Sequence, residues 1–138
     1  MNYKEFADML TGREAGEETN KEDMKIAKDN RLVVVTGASD DLMEFYGCIN
    51  DEVGCFNGGS AFVTKKGILV NECDDEDCPY YQDKLDRGEY HVIEALWCDE
   101  EGYSWTYKTD IPHSTFEIME DGEHYCRGIV FSIDDLKY

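Results

Sequence analysis

The sequence predicts a single α+β domain: two short N-terminal helices followed by a mostly antiparallel sheet with one inserted helix. Three observations carry that expectation. Apolar residues recur at helical spacing only in residues 1–30, the pattern changes to two-residue alternation after Asn30, and Pro79 opens a helix-compatible stretch between two strand runs. A length of 138 residues is enough for one hydrophobic core. The domain is therefore read as 1–138, with a helical segment over 1–30 and a sheet region over 31–138.

Tyr3, Phe6 and Leu10 mark the first helix, and the stretch from Gly12 to Gly16 breaks it. The second helix opens at Thr19, where Thr19 and Glu22 have capping-box spacing, and Asn30 is its stop. Leu32 to Val35 is a continuous apolar run, and Met43, Phe45 and Ile49 alternate with Glu44, Tyr46 and Cys48. Ser60 to Thr64 and Ile68 to Val70 flank Lys65-Lys66-Gly67, a tight hairpin turn. Pro79 sits in the first turn of a helix reaching about Arg87, and Gly88 ends it. Tyr90 to Trp97 pairs with Tyr103 to Thr109 around Asp99 to Gly102. Thr115 to Met119 pairs with His124 to Ile133 around Asp121-Gly122.

Charge is the dominant feature of composition. Asp and Glu number 32 against 13 Lys and Arg, for a net charge of −19. Self-repulsion on this scale works against a compact state, and it excludes direct binding to nucleic acid or anionic membranes, leaving basic proteins as the favoured partners. Residues 1–30 hold eight acids and five bases, a net of −3, which leaves −16 to residues 31–138. There the acids gather in connections between strands: Asp40 and Asp41 with Glu44, then Glu72, Asp74, Asp75, Glu76 and Asp77, then Asp99, Glu100 and Glu101. Carboxylates spaced along such a rim imitate a polyanion and form the candidate partner-binding surface; the alternative is a solvated surface that serves solubility.

The 41% hydrophobic content argues for a folded chain despite the charge. Met1 to Leu10 lacks a basic segment followed by an apolar run, so neither a signal peptide nor a membrane span is expected, and the bacterial cytoplasm is the expected compartment. Six cysteines in such a compartment are thiols or metal ligands rather than a disulfide framework. Cys73 and Cys78 have the spacing of a paired zinc ligand. If the strands form a simple meander, Cys55 and Cys98 reach the same place, giving a four-thiolate structural zinc site with His113 in reserve. Small buried thiols are the alternative, and they suit Cys48 and Cys126 best.

Catalytic motifs are poorly supported, and the chain is read as a non-enzyme. Val33-Val34-Val35-Thr36-Gly37-Ala38-Ser39 has the outline of a nucleotide-binding turn, but Asp40 and Asp41 stand where phosphate would approach. His91, His113 and His124 fall in no catalytic context, and His91 reads as a hydrogen-bonded structural residue in a strand. Trp97, Tyr103, Trp105 and Tyr107 concentrate aromatics on one hairpin, where Trp97 and Trp105 face each other across strands; core packing and a partner-binding patch are the two readings.

Three strings, LVVVTGASDDLME (32–44), YSWTYKTDIPH (103–113) and FEIMEDGEHYCRGIVFSIDDL (116–136), resemble small acidic proteins of unassigned function from phages and prophages of gut Firmicutes. That resemblance transfers no catalytic residue. It implies an anti-defence protein, with the type II anti-CRISPR inhibitors as the class in view; some anti-defence proteins imitate DNA in charge, and at least one type II anti-CRISPR group binds zinc. The expectation is an anti-CRISPR inhibitor whose acidic surface binds the basic nucleic-acid channel of a nuclease such as Cas9. The alternative is a zinc-stabilised phage accessory protein that acts as a protein-interaction module through the aromatic hairpin.

Overall fold

The computed structural model describes residues 1–14, 17, 20–37, 43–47, 54–56, 59–70, 88–98, 104–120 and 123–138. Helix α1 spans Tyr3–Leu10 and α2 spans Lys21–Asp29. Asn2 caps α1 by accepting from the Glu5 amide at 2.8 Å while Glu5 accepts from the Asn2 amide, so two otherwise unpaired donors are satisfied reciprocally. For α2 the cap is Asn20, one residue beyond the expected Thr19, and its side chain accepts from the Asp23 amide. Asn30 closes α2 by donating from Nδ2 to the Ile26 carbonyl.

Nine strands follow among the described residues: β1 Leu32–Thr36, β2 Met43–Gly47, β3 Gly54–Phe56, β4 Gly59–Thr64, β5 Gly67–Val70, β6 Tyr90–Cys98, β7 Ser104–Thr109, β8 His113–Glu120 and β9 Glu123–Ser132. A short 3-10 turn, Ile133–Asp135, follows β9. The strands form two antiparallel sheets, ordered β3-β2-β1-β9-β8 and β5-β4-β6-β7.

This architecture corrects the α+β expectation of a single sheet with an inserted helix. The protein is mostly β, and among the described residues its α-helices are α1 and α2 alone; the stretch Pro79 to Arg87 lies outside the described residues. The physical reason is written in β1, where all five residues are buried. Val33 and Val35 join the core between the sheets with Phe45, Ala61, Val63, Ile93 and Phe131. Leu32 and Val34 pack on the opposite face with Phe6, Leu10, Ala27 and Phe116. Two helices cover only one face of the five-stranded sheet, so a second sheet covers the other.

The simple meander is corrected as well. β9 returns to pair with β1, placing Val34 opposite Val130, and β6 pairs with β4 rather than with β5. Gly128 makes the β8/β9 packing possible: it lies opposite Phe116, and a Cβ there would stand 2.2 Å from the Phe116 ring. The β4/β5 turn closes as expected on Lys65 and Lys66, with the Thr64 hydroxyl accepting from the amides of Lys66 and Gly67. The outer edge of β8 is covered by the chain leaving α1, through Gly12 N to Glu117 O and Met119 N to Arg13 O.

Candidate functional site

Strand direction decides where the acidic connections attach. β1 ends at Thr36, which lies opposite Glu44 near the start of β2 and Gly128 in β9. Met43 pairs with Phe56 at the end of β3, and the β8/β9 hairpin closes at Glu120 and Glu123. All of these positions belong to one end of the five-stranded sheet.

The four-stranded sheet shares that end. Phe56 and Gly59 are three residues apart, so at most ~11 Å of chain separates the end of β3 from the start of β4. Gly59 lies opposite Ala95, Val70 opposite Ala61, and β6 runs on to Cys98, opposite Ser104. At the far end of the molecule, Thr109 leads through Asp110, Ile111 and Pro112 into His113. The chain therefore leaves Thr36, Val70, Cys98 and Glu120 at a common end.

Among the expected partner-binding residues, Glu44 is placed on β2 by its register with Cys55. Asp40, Asp41, Glu72, Asp74, Asp75, Glu76, Asp77, Asp99, Glu100 and Glu101 lie outside the described residues. So do Cys73 and Cys78 of the expected zinc set. Cys55 lies on the edge strand β3 of the five-stranded sheet, and Cys98 closes β6 of the four-stranded sheet. Among the described residues no three His, Cys, Asp or Glu gather as a metal-binding group. His113 opens β8 at the far end, away from Cys55 and Cys98, and donates from Nδ1 to the Ile111 carbonyl at 2.7 Å.

His91 has the structural role its position predicts. Nδ1 lies 3.2 Å from the exposed Asp110 carboxylate and Nε2 lies 2.7 Å from the Lys137 carbonyl. Beside it Tyr138 donates from its hydroxyl to Val63 O, and Lys65 Nζ lies 5.7 Å from the Tyr138 ring centroid. These contacts fasten the segment after β9 to the four-stranded sheet.

Register sets Trp97 opposite Trp105, as the sequence predicts, and Tyr107 packs against the core between the sheets. Sequence reasoning missed an open cleft of about 550 Å³ over β6 and β7, lined by Tyr90, His91, Val92, Glu94, Lys108, Thr109 and Asp110. Its signal was the even-numbered series Tyr90, Val92, Glu94, Leu96, which puts apolar groups where an outward face is ordinarily polar. No helix among the described residues is long and apolar enough to cross a membrane. The chain matches no protein-family model, no curated protein and no solved structure.

Proposed function

We propose that this protein is a non-enzymatic anti-defence inhibitor of the anti-CRISPR type, acting in the cytoplasm of a bacterial host cell. Its acidic end binds the basic nucleic-acid channel of a nuclease such as Cas9. The observation that carries the reading is the shared end from which the chain leaves Thr36, Val70, Cys98 and Glu120, because each departure leads directly into a run containing acids. Charge grouped in this way competes for Lys and Arg side chains that otherwise hold phosphates; the same charge spread evenly gives solubility alone. The resemblance of residues 32–44, 103–113 and 116–136 to phage and prophage proteins supports the biological setting.

The test compares two charge-matched variants for binding to guide-free Cas9. One carries Asp99→Asn, Glu100→Gln and Glu101→Gln at the acidic end; the other carries Glu5→Gln, Asp8→Asn and Glu22→Gln on the exposed side of the helices. Only the first should weaken binding, and wild-type affinity should fall steeply as salt rises. Equal loss in both variants, or no binding at low ionic strength, overturns the reading.

A second reading, a zinc-stabilised phage accessory protein that acts as an interaction module, is favoured by one observation. Cys55 and Cys98 stand on strands of different sheets near this same end. A zinc ion held there by Cys55, Cys73, Cys78 and Cys98 would tie the two sheets together and take no part in chemistry.

A further inference from the structure

We infer that His91 is a pH-sensitive clasp between the two sheets, closed when its imidazole carries both protons. The ring sits near the start of β6 in the four-stranded sheet, opposite Val63, with its side chain 16% exposed. Nδ1 faces the Asp110 carboxylate, 3.2 and 3.3 Å from its two oxygens, and Nε2 faces the Lys137 carbonyl at 2.7 Å. Asp110 belongs to the crossover that carries the chain from β7 in one sheet to β8 in the other, and Lys137 follows β9 of the five-stranded sheet. One ring therefore ties β6 to two stretches that continue the opposite sheet.

Both neighbours can only accept. An ionised carboxylate and a backbone carbonyl offer lone pairs and no proton, so a ring that bonds both must donate from both nitrogens. Only the imidazolium does this; a neutral ring has one N–H and turns a lone pair toward the other oxygen. Losing the second proton thus costs one of the two contacts, whichever tautomer forms. The cation also faces an anion, so the clasp contributes stability in acid and loses it as pH rises through the range where histidine ordinarily changes charge, about pH 5 to 8.

The carboxylates, ammoniums and phenols around the ring are of types that ordinarily titrate outside that range. Tyr138 lies against His91 with ring centroids 5.2 Å apart, and Lys65 approaches the Tyr138 ring from the β4/β5 turn. Lys137 brings its ammonium on the same segment as Tyr138. Tyr90, Glu94 and Lys108 line the cleft beside His91, and the last two lie opposite each other in register, so their charges offset. His113 in β8 does titrate within the range, but its Nδ1 meets a single acceptor, the Ile111 carbonyl at 2.7 Å. One proton satisfies that contact in either charge state; His91 differs in standing between two acceptors.

Asp110→Asn separates a clasp from an ordinary structural hydrogen bond. The substituted carboxamide can donate to a neutral Nδ1, so in that variant the neutral ring keeps both contacts while Nε2–H still serves Lys137 O. Urea unfolding of the full chain at about pH 5.5 and about pH 8.5 brackets the titration range. The substitution should lower the folding equilibrium constant about two- to fivefold at the lower pH, the worth of one exposed ion pair, with a smaller cost or a gain at the higher pH. In a His91→Gln background the same substitution should have equal effect at both pH values, which removes the contributions of His113 and His124.

A cost in the wild-type background that is equal at the two pH values, or larger at the higher one, overturns the inference. A pH-dependent cost that persists after His91→Gln overturns it too. Neither result depends on what the protein binds.

Discussion

The Tyr138 hydroxyl donates to the Val63 carbonyl at 3.1 Å, tying the segment after β9 to an inner strand of the opposite sheet. With His91 holding Lys137 O, this contact closes the far end of the sandwich, opposite the end that holds Thr36, Cys98 and Glu120.

Alkaline stability should depend on that hydroxyl. Burial raises the Tyr138 pKa above its ordinary value of 10.0, so the folded chain holds the phenol proton more tightly than the unfolded chain does. The contribution is fully present below about pH 10 and is lost as pH rises through the folded value. Tyr138→Phe should cost up to about 1 kcal/mol at pH 8, the worth of one hydrogen bond. Denaturation midpoints of wild type and variant should converge above pH 10, and a gap that stays constant to pH 11 would show that this proton is not linked to folding.

Gly128 and Gly47 should both resist substitution, for separable reasons. A Cβ at Gly128 meets the Phe116 ring at 2.2 Å and Val35 O at 2.6 Å. Gly128→Ala is expected to cost about 1–3 kcal/mol, and adding Phe116→Leu should restore part of it. At Gly47 the backbone has φ +140°, and a Cβ would stand 2.2 Å from Leu32 O. Because that neighbour is backbone, no side-chain change should rescue Gly47→Ala. Urea melts of the three variants check both statements.

The differing legibility of these elements has a physical basis. Leu32 to Val35 announced a strand by its continuous apolar run, and Lys65 to Gly67 announced its own turn, because each signal lies within a few neighbouring residues. What covers the second face of β1 depends on pairing with β9, nearly a hundred residues away, and no local pattern encodes that partner. Gly54–Phe56 is too short to show alternation, so β3 escaped notice. Thr19 and Asn20 are adjacent capping residues, and spacing alone could not choose between them. The acidic runs were legible as clusters, whereas their attachment to one end required the direction of every strand.

Arg13 and Asp23 form an ion pair that closes the connection between α1 and α2, with the Asp23 side chain 5% exposed and Arg13 26%. Removing the cation alone leaves a buried carboxylate without its guanidinium, so Arg13→Met should cost about 1–3 kcal/mol. Removing both charges with Arg13→Met and Asp23→Asn should cost less than the sum of the single changes. A double-mutant cycle by chemical denaturation measures this coupling, and strict additivity would mean that the pair contributes nothing beyond packing.

Metal content offers the sharpest test of the acidic end. Cys98 is the last residue of β6 and Cys55 the penultimate residue of β3, so a zinc ion shared with Cys73 and Cys78 would staple one sheet to the other. Protein purified without added metal should then carry one zinc per chain. Cys55→Ser and Cys98→Ser should each release it, and chelation should lower the melting temperature of wild type but not of either variant. The same chelation should leave Tyr138→Phe and wild type equally affected, since that contact lies at the far end. Zinc content near zero in wild type would remove the four-thiolate set and leave these cysteines as small apolar side chains.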